Sequence, residues 1–163
     1  MSEEIRLIFP TIEYEAKAKE FIEEFNSEEG TCGLYNSIKA NDYAGWIKKV
    51  IEEMDIANIK PDMTPALTYF YIRKSDSKIA GVVKLKLIST EQAKEDGNIE
   101  FAVCPSERRK HYAINMVTDV VNMGALLGAG APVVIVDKEK TYSDEEAAAQ
   151  VIVRLCGGMV ITK

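Results

Sequence analysis

The spacing of apolar positions divides the chain into helical and extended stretches. Tyr14, Ala18, Phe21, Ile22 and Phe25 recur at helical intervals behind Pro10-Thr11, which predicts a first helix capped by Thr11. Tyr43, Trp46, Ile47, Val50, Ile51 and Met54 repeat the pattern behind the capping pair Asn41-Asp42 and predict a second. Ser27 to Lys39 and Ile59 to Pro65 are polar and read as loops. From Leu67 the period shortens to two. Leu67 to Arg73 and Ile79 to Ile88 flank the turn residues Lys74 to Lys78 and predict an antiparallel hairpin, with Lys84 and Lys86 alternating against Val83, Leu85 and Leu87. Beyond a polar loop, Ser89 to Asn98, the run Ile99 to Cys104 predicts a third strand of the same sheet, which an N-terminal strand from Ile5 to Phe9 joins.

After Pro105 the helical period returns with Ala113, Met116, Val117, Val120, Val121 and Gly124, and stops at Gly128. Val133 to Val136 is a short, wholly apolar run suited to a buried parallel strand. Ser143-Asp144-Glu145-Glu146 then opens a last helix running to Gly157-Gly158, and a short strand, Met159 to Ile161, follows. This order predicts the α/β (α+β) class: a mixed central sheet flanked by helices.

Composition narrows the function. The 163 residues are 47% apolar and 28% charged, which suits a single globular domain spanning residues 1–163. Twenty basic against 26 acidic side chains give a net charge of −6, so a surface that coats nucleic acid is not expected. Cys32, Cys104 and Cys156 are odd in number and widely spaced, which points to a reducing, cytoplasmic setting and not to a disulfide framework. The acidic start lacks the basic residues of an export signal. Glycines and Pro132 interrupt the long uncharged stretch from Val120 to Val136, so no membrane segment is expected. His111 is the only histidine, which rules out a three-histidine zinc site; no metal is expected.

One local conflict suggests chemistry. Arg108, Arg109, Lys110 and His111 fall where the helix after Pro105 should begin, and exposed cations at a helix start cost about 0.3–1 kcal/mol each. A bound anion resolves the conflict, because the first helical turn also offers unpaired N–H groups. A strand, a Pro-Ser-Glu loop and a basic helix start together describe a phosphate site.

The run from Gly97 through Val103, Cys104, Pro105 and Arg108 to Ala113 resembles the acetyl-CoA motif of the GNAT superfamily of N-acetyltransferases. In that motif a strand ending V-x-P is followed by [QR]-x-x-G-x-[GA], which Arg108, Tyr112 and Ala113 match. The order of the other elements agrees with that fold along nearly the whole chain. The resemblance implies acetyl-CoA as co-substrate and an amine, small molecule or peptide, as acceptor. It implies that the strands at Ile99–Cys104 and Val133–Val136 splay apart to admit the cofactor, lined by Phe101, Ala102 and Val103. Arg108, Arg109, Lys110, His111, Tyr112 and Ala113 would hold the pyrophosphate, and the Val103 N–H would polarise the thioester carbonyl. Glu100 is the nearest carboxylate for a general base.

The chain departs from the motif in specific places. His111 replaces the glycine over which the pyrophosphate passes, and Val153 stands where many relatives carry an acidic tyrosine, leaving Tyr142 as the substitute. Glu146 and Ala149 replace an asparagine and a serine, and relatives continue beyond the last strand into a closing hairpin. A catalytically silent domain that binds CoA or another phosphorylated ligand, or serves in interactions, is the alternative. The open edge near Met159 is expected to be covered by a second copy in a homodimer or by the loop Ser27 to Lys39.

Overall fold

The computed structural model describes residues 4–136 and 144–163. Its centre is an antiparallel sheet of β1 (Ile5–Ile8), β2 (Ala66–Arg73), β3 (Ile79–Lys86) and β4 (Ile99–Val103), in that order. The hairpin and both added strands follow the two-residue alternation. Residues on both faces of β2 and β3 are buried, because helices cover both faces of the sheet.

On one face, α1 (Glu15–Glu23) and α3 (Tyr43–Met54) set Phe21, Ile22, Trp46 and Val50 against Phe70, Val82 and Ala102. Trp46 stacks on Phe70 with ring centroids 5.6 Å apart. Full burial of a side chain such as Phe70 contributes about 1.5–3 kcal/mol, so this apolar stripe fixes the helices in place. On the other face, α5 (Tyr112–Leu126) packs Met116, Val117 and Val120 against Tyr71, Val83 and Leu85.

A second ladder pairs β5 (Val133–Val136) with β6 (Met159–Thr162) in parallel, linked through α6 (Asp144–Leu155). Antiparallel and parallel strands are thus both present, in two ladders that meet at Asn98. Its N–H donates to the Val133 carbonyl at 3.1 Å, its Oδ1 accepts from the Val133 N–H at 2.7 Å, and its Nδ2 donates to the Ala131 carbonyl at 3.1 Å.

Several boundaries differ from the sequence reading. The first helix begins with a 3-10 turn, Ile12–Tyr14, and the Thr11 side chain makes no capping bond; its carbonyl instead accepts from the Tyr43 hydroxyl at 2.6 Å. Asp42 does cap α3, accepting from the Gly45 N–H at 3.1 Å. The supposed loop Ser27 to Lys39 ends in a short helix, α2 (Leu34–Lys39), which buries only Leu34 and so carries little periodic signal. The polar stretch Ser89 to Asn98 contains α4 (Thr90–Asp96), started by a capping box between Ser89 and Gln92. Only Ala93 of that helix is buried, which is why its polarity reads as loop. Finally, α5 starts at Tyr112, so Arg108 to His111 precede the helix.

Candidate functional site

The backbone of β4 has one paired and one open side. Glu100 and Ala102 face Lys84 and Val82 in register, the Cys104 N–H donates to the Ala80 carbonyl at 2.8 Å, and the Lys86 N–H donates to the Asn98 carbonyl at 2.7 Å. This even-numbered set turns its N–H and C=O groups toward β3. Phe101 and Val103 therefore turn theirs the other way, into the gap between β4 and β5. The two strands touch at Gly97 and Asn98 and belong to separate ladders beyond that point. Added to Gly97, whose φ is +77°, a Cβ would sit 3.0 Å from the Val133 carbonyl oxygen, so the close approach there requires glycine. Of the three strand residues singled out, Phe101 and Val103 present amides to the gap, whereas those of Ala102 belong to the ladder with β3.

The loop joining α1 to α2 crosses this open side. A Cβ on Gly30 would lie 2.6 Å from the Phe101 carbonyl oxygen, while Cys32 packs on the α3 face of the sheet, from which its thiol donates to the Glu100 carbonyl at 3.4 Å. Burial raises the Cys32 thiol well above its ordinary range, with the Glu100 charge adding to the effect. The thiol is therefore a neutral packing group.

At the far end of β4 the chain makes a 3-10 turn, Pro105–Glu107, and then a short irregular run into α5. Arg109 and His111 have φ of +66° and +63°, and Lys110 between them does not share that conformation. Where right- and left-handed residues alternate, successive backbone N–H groups aim into one concavity that can hold an anion whatever the side-chain charge. His111 is the N-cap residue of α5, and the Asn115 N–H, donating to the His111 carbonyl at 3.3 Å, begins the helical ladder. The N–H groups of Tyr112 and Ala113 are thus available beside the concavity. The basic cluster is not a simple cationic patch. Lys110 Nζ contacts Glu107 at 2.6 Å, and Arg108 Nε donates to the Val103 carbonyl at 3.3 Å.

Glu107, 5% exposed, also contacts Arg73 at 2.7 Å and Lys78 at 3.4 Å. Burial alone raises its pKa, but the bonds from Lys110 and Arg73 outweigh that and lower it. A fixed carboxylate therefore anchors the turn to β2. Glu24, at the end of α1, does the same from the other side: it accepts from the Ser106 N–H at 2.9 Å and from the Cys104 thiol at 2.8 Å. The Cys104 thiol is pushed up to about 11, first by burial and then by Glu24.

Glu100 is exposed and lies on the α3 side of the sheet, beside Lys84. The same face holds a cleft of about 290 Å³ whose walls include Thr68, Lys84, Glu53, Trp46 and Lys49. The sequence singled out neither Thr68 nor Glu53 and showed Lys84 only as alternating with the apolar positions of its strand. Tyr142 lies outside the described residues, as do the side-chain surroundings of Glu146. Val153, in α6, is fully buried in the core and offers no acid. Among the described residues no cluster of acidic, histidine or cysteine side chains is arranged to hold a metal ion, and no helix is long and apolar enough to cross a membrane.

No protein-family model matches the chain, and no curated protein matches it in sequence. Solved structures do match in shape. The microcin C7 self-immunity acetyltransferase MccE, in complex with acetyl-CoA and AMP, superimposes with a TM-score of 0.58 at 16% identity, covering 93% of this chain and 78% of MccE. A Vibrio cholerae protein assigned as a ribosomal-protein-serine acetyltransferase superimposes with a TM-score of 0.61 at 10% identity, covering 96% of this chain and 80% of its own. The chain thus has the overall fold of these two acetyltransferases, a mixed α/β arrangement with an antiparallel sheet flanked by helices.

Proposed function

We propose that the protein is an acyl-CoA-dependent N-acyltransferase that moves the acetyl group of acetyl-CoA to an amine. The observation that carries this reading is the open edge of β4, whose Val103 N–H faces a gap that ends at the concave turn before α5. In this reading the amides from Arg109 to Ala113 receive the pyrophosphate, and the arm carrying the thioester lies between β4 and β5 beside Phe101. The acetyl-CoA bound to MccE and the acetyltransferase names of both structural neighbours support the choice of co-substrate.

In the transfer, the amine nitrogen attacks the thioester carbonyl carbon, a C–N bond forms and the C–S bond breaks. Charge that develops on the carbonyl oxygen is met by the Val103 N–H, a type of contact worth about 3 kcal/mol. The sulfur leaves as CoA thiolate and takes up a proton from solvent. The amine must lose one. An alkyl amine with a pKa of about 10.4 is ~3.4 units from neutral at pH 7, equivalent to roughly 4.6 kcal/mol, and in this reading Glu100 accepts the proton.

A silent CoA-binding domain is the second reading, favoured by the burial of Val153 where relatives place an acid. Two measurements decide. Acetyl-CoA at about 100 times its dissociation constant is expected to stabilise the protein by about 2.7 kcal/mol, read as a rise in melting temperature. Release of free CoA thiol in the presence of an amine reports transfer. A melting shift without thiol release selects the silent domain, and no shift at millimolar acetyl-CoA rejects both readings.

A further inference from the structure

Thr68 on β2, Lys84 on β3 and Glu100 on β4 face one another in register and form a polar row across the sheet beneath α3. The neighbouring row on the same face, Phe70, Val82 and Ala102, is apolar and buried, as a helix-covered sheet face requires. The polar row therefore needs its own explanation. Above it α3 presents Glu53, whose Oε2 lies 3.1 Å from Lys84 Nζ, with the two side chains 8% and 19% exposed. At the floor, Thr68 is 1% exposed, and its Oγ1 is a buried side-chain oxygen with no hydrogen-bond partner among the described residues. A valine would fill the same volume without the unsatisfied hydroxyl, so the hydroxyl has no evident value to the fold.

Thr68, Lys84 and Glu53 line the cleft beside Trp46. Its volume, about 290 Å³, suits part of a small molecule. Its charges specify which part. The charged residues of the lining, Asp42, Lys49, Glu53 and Lys84, are two acids and two bases that offset one another, so a charged ligand end is attracted by some and repelled by others, and it loses its hydration without a net Coulombic return. A neutral group with both donor and acceptor character gives a hydrogen bond to Glu53, takes one from Lys84 and completes Thr68. We infer that the cleft binds the non-reacting end of the acceptor, and that this end carries a hydroxyl or carboxamide; the assignment to an acceptor rests on the acyltransferase reading. Glu100, at the other end of the row, adjoins the gap where the amine end would react.

Trp46 is the only tryptophan, so its fluorescence reports occupation of the cleft whether or not transfer occurs. The full chain is titrated with aminopropanol, β-alaninamide, butylamine and β-alanine, which differ at the far end, and the same four are offered with acetyl-CoA. Aminopropanol and β-alaninamide are expected to bind about tenfold more tightly than the other two. Thr68→Val is expected to melt no lower than the parent and to lose the preference over butylamine. Glu53→Gln leaves Lys84 without its carboxylate partner and is expected to move the preference toward β-alanine. A dipeptide amide beginning with serine distinguishes the source: tighter binding than β-alaninamide assigns a peptide start, and weaker binding assigns a free small amine. Equal binding of the four amines, or a preference that survives Thr68→Val, overturns the inference. Selective quenching without thiol release supports the cleft's chemistry and rejects the transferase reading alone.

Discussion

His111 occupies, at φ +63°, the left-handed backbone region that glycine occupies without strain. For a histidine that conformation costs roughly 1–2 kcal/mol, whereas glycine loses about 0.5–1 kcal/mol of backbone entropy on folding. Because His111 is the cap of α5 and not an interior position, no helical propensity opposes the change. His111→Gly is therefore expected to stabilise the protein by about 0.5 kcal/mol and to tighten acetyl-CoA, as measured by paired thermal melts with and without ligand. A lower melting temperature, or weaker binding, would assign the imidazole a positive role. At this scale the sequence was legible where neighbours in the chain are neighbours in space: Val103, Arg108 and His111 follow one another through a strand, a turn and a helix cap. It was opaque where partners are distant. Lys84 follows the alternation of a solvent lysine, and Glu107 reads as one more loop acid until Arg73 is folded against it. Glu53 alone carried a signal, because it lies seven residues after Trp46 and three after Val50, on the apolar stripe of α3.

Between elements, the turn after β4 is held by its own Glu107, paired with Arg73 of β2, and by Glu24 from the end of α1, and this gives the protein an acid-sensitive joint. Burial on its own raises the Glu24 pKa, but hydrogen bonds from Cys104 and Ser106 and the charge of Lys78 bring it down to about 2, from an ordinary 4.5. The folded state thus favours the ionised form. The resulting stabilisation is fully present above about pH 4.5 and is lost as the pH falls through 2. Glu24→Gln is expected to melt below the parent at neutral pH, with the difference closing as both are titrated from pH 4.5 toward 2; a difference constant across that range would reject the linkage. The joint was invisible in the sequence, since Glu24 and Ser106 lie far apart along the chain. Elements with an apolar stripe, α1, α3 and α5, were legible from spacing alone. Helices α2 and α4 were not, because each buries a single residue and is specified by its ends and its neighbours.

For the whole molecule, the decisive feature is that two ladders join at one corner and separate toward the other. The hairpin and the apolar β5 were readable as strands, but the gap between β4 and β5 is a relation between ladders, which no periodicity encodes. Asn98 sets that corner. It is 2% exposed and uses both ends of its amide on residues 131 and 133 while its backbone bonds Val133 and Lys86. Asn98→Ala would leave the N–H of fully buried Val133 without its partner, a loss of about 2 kcal/mol. For a chain of this length that corresponds to a fall of roughly 4–8 °C in melting temperature. The backbone bonds of residue 98 remain possible in the variant, so the strands are expected to stay paired with their ladders while the angle between the ladders loosens. If the width of the gap positions the Val103 N–H against the thioester, the variant should also show a smaller stabilisation by acetyl-CoA than the parent, beyond what its lower baseline explains. An unchanged melting temperature would reject the corner as a structural clasp, and a lowered one with a full acetyl-CoA response would confine Asn98 to stability.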